Sequence, residues 1–499
     1  CCSAAIVAVT IAVRTKTTGT RRAVIEPSLG MGLPGASRFL PVMWLSLQAV
    51  QGSVKDPFCG TQRVHALLTS FGRVSKLPDV VDTTRRRMFQ PPAAKERSEE
   101  HTIFDPVRPT QRIQVLDILR GWAVFGMLVV NVGYFTSLAQ PRPVGADAIA
   151  AVVVQILAAG KFWTLFSILF GYGFALQLDR AAGGGIPFVA VYARRLVILL
   201  LFGLAHTLLH PLEILHRYAL LGFLLIPLRR VSARALVAVG VVSLLLPVGA
   251  AAVGSLGQAV TRSDGPALTT AGAADREQAE AVRIYSTGSL PELMSYNARR
   301  FRRIAADIRV LAPFPYFLFG FYLGRRRLLE AVGSHLTVIR KARWWALGLG
   351  LGLQAAPALT VLVPGEPGPS LQAVVRLFLG LGNGLLGLFY ASVIVLLAQT
   401  PRWARRLDLF AAAGRLALTN YLLQTVIVTT LVYGYGFGLY GRVGTLLSVP
   451  IAFAVFGVQV VWSNWWVRRF RFGPAEWLWR TLTYGQPQPL RHESRSGGA

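Results

Sequence analysis

From Ile113 onward the chain is a succession of apolar runs about 17–25 residues long, the helix length that crosses a hydrocarbon core about 30 Å thick. Short connections between the runs hold most of the arginines. In lipid, every backbone N–H and C=O must find a partner inside the protein, so a run of this length is read as a helix. Only 15% of the 499 residues are charged and the mean hydropathy is +0.48, against about 25% charged in soluble domains. A soluble chain of this length would need several charged exteriors, and the residues to build them are missing. A soluble enzyme, a disordered chain and a secreted disulfide scaffold are excluded. The expected fold is all-α: a polytopic transmembrane helical bundle.

Ten spans are expected, near 114–136, 149–178, 195–210, 213–228, 233–255, 308–324, 344–363, 372–398, 409–433 and 444–466. The second run is long enough to be an interfacial piece followed by a span starting near Gly160. The third and fourth, separated by Pro211 and Leu212, read as a tight helical hairpin. The net charge of +29 would suggest a nucleic-acid partner on a soluble protein. Here the arginines cluster between spans, and no basic stretch is interleaved with base-stacking aromatics, so no nucleic acid is expected. Alternate connections are arginine-rich (Arg194, Arg195, Arg229, Arg230, Arg325, Arg326, Arg327, Arg402, Arg405, Arg406), whereas the short intervening ones hold only Arg142 and Arg442. The positive-inside rule then puts both termini in the cytoplasm and a long loop, about 256–307, outside.

The three cysteines, Cys1, Cys2 and Cys59, all precede the spans, so disulfides, thiolate nucleophiles and cysteine metal sites are not expected within them, and no metal is assigned. Residues 1–87 lack the apolar continuity of the rest and are expected to be upstream translation or a disordered extension, with Met88 as the start. Residues 88–112 read as a polar cytoplasmic tail, 113–487 as the membrane domain with a carboxyl-terminal motif at 409–485, and 488–499 as a disordered tail.

Polar residues inside spans are costly and mark candidate sites. Asp117 and Arg120 share a face of the first span and can pair, near its inner boundary. Asn131 lies eleven residues further along, about 16 Å. His206 and His210 are i,i+4 in the third span with Glu213 shortly after, the usual makings of a general base and its orienting acid, or of a proton relay. Lys161 opens the core of the second span, Arg376 and Asn383 share a face of the eighth, and Arg415, Asn420 and Gln424 lie in the ninth. The expectation is an outer set (Asn131, Lys161, His206, Glu213, Arg376, Asn383) and an inner one (Asp117, Arg120, Arg195, Arg415). Gly171 and Gly173 read as close-packing points rather than a phosphate loop. Trp462, Trp465, Trp466, Trp477 and Trp479 read as an interfacial belt.

Four segments resemble the YeiB-like bacterial membrane proteins of the DUF418 family: Leu116-Asp117-Ile118-Leu119-Arg120-Gly121 with Asn131; GKFWTLFSILFGYG from Gly160 to Gly173; the stretch from Arg194 and Arg195 to Tyr218; and a carboxyl-terminal pair. That pair is GRLALTNYLLQ from Gly414 to Gln424 and FRFGPAEWLWR from Phe470 to Arg480. The likeness covers about residues 110–487. The family is in turn distantly similar to the acyltransferase-3 and heparan glucosaminide acetyltransferase membrane proteins, whose first helix carries an Arg followed eleven positions later by a polar residue. The acyltransferase-3 pattern has His there; the heparan type has Asn, as at Asn131, with a catalytic His shortly after. In this chain the next histidine is His206.

The resemblance implies a bacterial inner-membrane acyltransferase. Acyl-coenzyme A would be a co-substrate rather than a bound cofactor, docking at the inner arginines. The acyl group would pass to an extracytoplasmic glycan, lipid or small-molecule acceptor. His206 is then the general base, Glu213 its orienting partner and Asn131 an oxyanion donor. Asp117, Arg120, Lys161, Arg195, Arg376, Asn383, Arg415, Asn420 and Gln424 would bind substrate. The alternatives are a transporter of a small or amphipathic anion, with Lys161 or Arg376 as counter-charge, and a non-catalytic scaffold amid membrane lipid. The topology is directly testable, because a chain begun at Met88 has no native thiol. His335→Cys should be shielded from an impermeant thiol reagent in intact cells, while a cysteine within 256–307 is labelled. Labelling at position 335 from outside overturns the orientation.

Overall fold

The computed structural model describes residues 113–137, 143–184, 187–211, 213–260, 268–304, 308–357 and 368–492. The expected Met88 start, the segments 1–87 and 88–112, and the last seven residues lie outside them. The described chain is helical throughout; its one β feature among the described residues is an isolated antiparallel bridge.

The helices are α1 Gln114–Ser137, α2 Gly145–Leu157, α3 Lys161–Gly184, α4 Phe188–Thr207, α5 Leu215–Leu228, α6 Ala233–Val260, α7 Leu268–Thr287 and α8 Leu290–Ile304. After a short 3₁₀ turn at Ile308–Leu311 come α9 Phe314–Arg325, α10 Val332–Leu353, α11 Pro369–Ala398, α12 Pro401–Arg415, α13 Ala417–Val432, α14 Thr445–Val467 and α15 Pro474–Tyr484. Proline opens α11, α12 and α15, where its missing N–H costs no helical bond. Gly485 ends α15 in the left-handed conformation, at φ +72°.

Six of the ten expected spans fall on helices long and apolar enough to cross a membrane: α1, α2 with α3, α4, α6, α11 and α14. A seventh is the pair α12–α13, bent by 77° at Leu416. The other three are shorter or more polar than the apolar runs suggested. α5 has 14 residues and α9 has 12. α10 carries Arg340, Lys341 and Arg343 within its length. The long second run divides as expected, with a break at Ala158–Gly160 where Gly160 adopts φ +85°. Residues 488–492, expected in a disordered tail, are instead bonded back to the chain. Arg471 N donates to Leu490 O at 2.8 Å, and Phe470 and Arg491 form the antiparallel bridge.

α1 is the hub of the bundle and packs against α3, α12, α13 and α14. In its span 67% of the residues are buried, against 6% in α6, whose Val241, Val242, Leu245 and Leu246 face outward. Outward apolar faces of this extent are a liability in water and the expected surface in lipid. Without a hydrophobic drive between helices, association depends on close approach at small residues. A Cβ on Gly414 would lie 1.8 Å from Asp117 O, which is how α12 settles onto α1. On the other side of the bundle α9 lies on α3, and a Cβ on Gly320 would lie 1.9 Å from Ile168 O. Gly171 approaches Phe317 O equally closely, in line with its reading as a packing point, whereas Gly173 faces open space.

Gly320→Ala should therefore cost about 1–3 kcal/mol, the usual effect of overpacking. Gly173→Ala should be neutral or stabilise by up to about 1 kcal/mol, because alanine is the better helix former. Thermal unfolding in detergent checks the contrast, and equal midpoints for the two variants would refute the α3–α9 packing.

Candidate functional site

α4 ends at Thr207 and the chain reverses before α5 begins at Leu215. This turn brings Glu213 back under α4. Its carboxylate accepts hydrogen bonds from Leu215 N and, at 3.1 Å, from His216 N, so it sits on the amino terminus of α5 where the helix dipole favours a negative charge. His216 Nδ1 lies 2.9 Å from Glu213 Oε2, and His206 Nδ1 lies 3.8 Å from Oε1, beyond hydrogen-bond length. Glu213 and all three histidines are buried. Gly203 makes the fold-back feasible, since a Cβ there would stand 2.4 Å from His216 N. Glu213 thus meets His206 by reversal of the chain, not along a continued helical face, and its nearer partner is His216.

His206 packs against Tyr421 of α13 at 5.1 Å between ring centroids and against His210 at 5.9 Å. Neither ring nitrogen of His206 has a hydrogen-bond partner, and His210 Nδ1 has none. His210 in turn meets Phe135 of α1 at 4.6 Å and Tyr134 at 5.8 Å. Asn131 is four residues before Phe135, and His206 four before His210. Asn131 is therefore set back about 6 Å from that contact along α1, and the His206 ring lies 5.9 Å from the His210 ring. At their other ends, α1 packs Asp117 on Gly414 and α4 stacks Arg195 on Trp479, close to the start of α13. The two helices therefore run the same way, with Phe135 and His210 in contact at one end. Asn131 is half-buried, with no side-chain hydrogen bond among the described residues.

Lys161 belongs to a second cluster. It is 0% exposed, and its ammonium donates to Gln155 O (2.6 Å), Ala159 O (2.8 Å) and Gln354 Oε1 (3.3 Å). Gln354 Nε2 donates to Asn383 Oδ1 at 3.0 Å, and Asn383 O accepts from Thr164 Oγ1 at 3.2 Å. Lys161 thereby closes the carboxyl end of α2. Arg376 stands apart, exposed and 3.5 Å from Gln372 Oε1. The expected outer set is thus divided: His206 and Glu213 in one group, Lys161 and Asn383 in another, Asn131 related to the first only through Phe135 and His210, and Arg376 in neither.

The inner set gathers at the opposite end. Arg120 pairs with Asp117 at 2.8 Å. Arg195 Cζ lies 3.8 Å from the Trp479 ring centroid, while Trp479 Nε1 donates to Arg195 O at 2.9 Å. The charge of Arg120 acts on Arg195, and Arg415 follows Gly414, which lies on Asp117 O. The bend after Arg415 exposes the first N–H groups of α13. Glu476 of α15 takes them, accepting from Leu418 N (2.7 Å), Thr419 N (3.1 Å) and Thr419 Oγ1 (2.5 Å). Burial pushes the Glu476 carboxyl above the ordinary range, and these hydrogen bonds pull the other way. The two carboxyl-terminal motifs thus form one joint. Of the belt tryptophans, Trp466 and Trp477 donate to Phe472 O and Gln488 O, while Trp465 is exposed.

Asn420 and Gln424 knit α13 to α14. Asn420 Nδ2 donates to Ala413 O and Ser463 Oγ, Gln424 Nε2 donates to Gln459 Oε1, and Gln459 Nε2 donates to Asn420 O. Sequence reasoning assigned no role to His216, Tyr421, Gln354, Gln459 or Glu476. Gln354 and Gln459 carried the signal used for the others, a polar residue in or beside an apolar run. Tyr421 carried none. Among the described residues no three His, Cys, Asp or Glu side chains are arranged to hold a metal ion.

The family described as a protein of unknown function (DUF418) matches residues 323–486. The chain is 32% identical over 417 residues to the uncharacterized protein YxaH of Bacillus subtilis, a match covering 79% of this chain and 99% of the relative. It is 27% identical over 402 residues to an uncharacterized 39.9 kDa protein from the amylase 3' region of Bacillus acidopullulyticus, covering 78% and 98%. It is also 29% identical over 399 residues to the uncharacterized protein YeiB of Escherichia coli, covering 75% and 96%. No solved structure matches.

If Glu476 acts as a cap supplied from another helix, Glu476→Ala should lower stability by about 1 kcal/mol, the usual loss on removing an N-terminal cap. Glu476→Gln, which keeps an acceptor oxygen, should lose less. Thermal unfolding of the detergent-solubilised chain measures both, and an unchanged midpoint in Glu476→Ala would remove the joint from the account.

Proposed function

The chain belongs to the YeiB-like DUF418 family of multi-pass membrane proteins, and we propose that it transfers an acyl group from cytoplasmic acyl-coenzyme A to an extracytoplasmic hydroxyl acceptor across the bacterial inner membrane. The observation that carries this reading is His206. It is a buried histidine with both ring nitrogens free of hydrogen bonds, set 3.8 Å from a carboxylate, on the helix whose other end presents Arg195. Arg195 and His206 are eleven residues apart, about 16 Å along α4. A polyanionic donor held at Arg120, Arg195 and Arg415 would have its thioester directed along the bundle toward the imidazole.

In this mechanism the neutral His206 takes the proton of the acceptor hydroxyl as its oxygen attacks the thioester carbonyl. The Asn131 amide donates to the oxyanion that develops, and the Glu213 carboxylate stabilises the imidazolium. Collapse of the tetrahedral intermediate breaks the C–S bond, and the departing thiolate takes the proton back from His206. The products are an ester and free coenzyme A thiol. Transport of an anion fits the geometry less well. The Lys161 ammonium already serves three neutral acceptors at a helix end, and Arg376 lies on an exposed face apart from it.

His206→Ala should abolish acceptor-dependent thiol release by purified, membrane-inserted protein. Asn131→Ala should slow it by about 10²–10³-fold, as losing one oxyanion donor does. Thiol release at the wild-type rate in His206→Ala, or substrate flux in sealed vesicles with no chemical change, overturns acyl transfer.

A further inference from the structure

The hairpin of α7 and α8 covers the histidine end of the bundle. Its outward face is tied by exposed ion pairs, Arg299 with Glu280 at 3.0 Å, Arg303 with Glu277 at 2.8 Å and Arg283 with Glu292 at 3.6 Å. Its inward face is seated on the site. Asn297 Nδ2 donates to Leu208 O at 2.9 Å, and Phe301 meets the His216 ring edge-on at 4.9 Å.

Arg300 differs from its neighbours on α8. It is half-buried and 3.4 Å from Tyr285 OH, its charge acts on Tyr134, Tyr285 and Tyr296, and no carboxylate pairs with it among the described residues. Burial pushes the Tyr285 and Tyr296 phenols up, with Arg300 opposing, so both stay neutral at physiological pH. The guanidinium charge is therefore not cancelled by its surroundings. The Tyr134 OH on which it acts is buried without a partner; so are Tyr433 OH, reached from Arg300 through Tyr285, and His210 Nδ1, on a ring that packs against Tyr134. Tyr433 is 0% exposed, packed on Tyr285 at 4.8 Å and on Phe135 at 5.9 Å. Buried polar groups are almost always hydrogen-bonded, so a cluster of exceptions calls for a missing partner. Water would satisfy the hydroxyls but not the charge. An oxyanion satisfies both, and a guanidinium fork matches the geometry of phosphate or carboxylate.

We infer that Arg300, Tyr134, Tyr433 and His210 bind an oxyanion on the acyl acceptor, which makes the acceptor a hydroxyl compound bearing a phosphate or carboxylate group. The identity of the ligand as acceptor rests on the acyl-transfer reading; its binding does not. The His210 ring lies 5.9 Å from the His206 ring. An oxyanion held there puts a hydroxyl a few atoms away beside the imidazole, the reach of a three-carbon polyol phosphate.

The test uses the full chain in phosphatidylcholine nanodiscs, titrated calorimetrically with sn-glycerol 3-phosphate and, as the uncharged control, glycerol. Wild type should bind the phosphate ester and not glycerol. Arg300→Gln should weaken binding at least tenfold and Tyr433→Phe several-fold. Arg303→Gln, on the outward face, should leave it unchanged. His206→Ala should keep it. Repeating the titration in phosphatidylglycerol nanodiscs separates the two sources of the ligand: competition assigns the oxyanion to a lipid headgroup, and no competition to a free solute. Equal binding by wild type and Arg300→Gln, or equal responses to glycerol and its phosphate, overturns the site. Thiol release is scored separately. Arg300-dependent binding in a protein that releases no thiol upholds the site and overturns acyl transfer, whereas thiol release untouched by Arg300→Gln removes the site from the reaction.

Discussion

Inside a hydrocarbon slab a helix that stops must still satisfy the backbone groups at its end. Among the described residues, three helix ends within the bundle are each closed by a charged side chain from beyond the broken helix. The ammonium of Lys161 takes carbonyls at the carboxyl end of α2. The carboxylate of Glu213 takes N–H groups at the amino end of α5, and that of Glu476 those at the amino end of α13. In every case the sign is the one the helix dipole favours, cation at the carboxyl end and anion at the amino end. Removing any one of these charges leaves backbone groups buried without partners.

The same device supplies the chemistry. A carboxylate held by α5 is fixed in place, and His206 and His216 gather around it because the chain reverses between α4 and α5. α1 and α4 each run from the arginine end to this cluster, and meet there where Phe135 contacts His210. Gly414 and Gly121 let α12 lie against α1 at that end, and Glu476 ties α15 to α13, so Trp479 is brought over Arg195. The two ends of the bundle are thus positioned by the contacts that repair its broken helices.

This explains which parts could be read from the sequence. Long apolar runs, the break near Gly160 and the hairpin at Pro211 depend on composition and local geometry, and all are present. Pairing within one helix face was legible for Asp117 with Arg120. Partners chosen in three dimensions were not. Asn420 and Gln424 look like binding residues in sequence, but they are engaged by Gln459 and Ser463 on a helix that lies about 40 residues further along the chain. Lys161 and Arg376 share a depth by counting residues, yet one is enclosed at a helix break and the other faces outward. Depth along a span is a one-dimensional quantity, and the direction a side chain takes around its helix depends on neighbours that the count does not contain. α5, α9 and α10 show the same limit from the other side, since apolar content alone does not tell a full span from a shorter helix enclosed by others.

Three histidines surround the carboxylate end, and their surroundings assign them different work. His216 is bonded to Glu213 through Nδ1 and through its own backbone N–H, so it holds the carboxylate in place. His210 is packed against Phe135 and Tyr134, at the edge of the tyrosine shell. His206 has both ring nitrogens free of hydrogen bonds and stands 3.8 Å from the acid. A histidine base takes the proton on one ring nitrogen while the other can face a carboxylate, and His206 is held for this by packing against Tyr421. At 3.8 Å the Glu213 carboxylate stabilises the imidazolium by its charge, and closing to hydrogen-bond length when the acceptor binds would fix the tautomer as well.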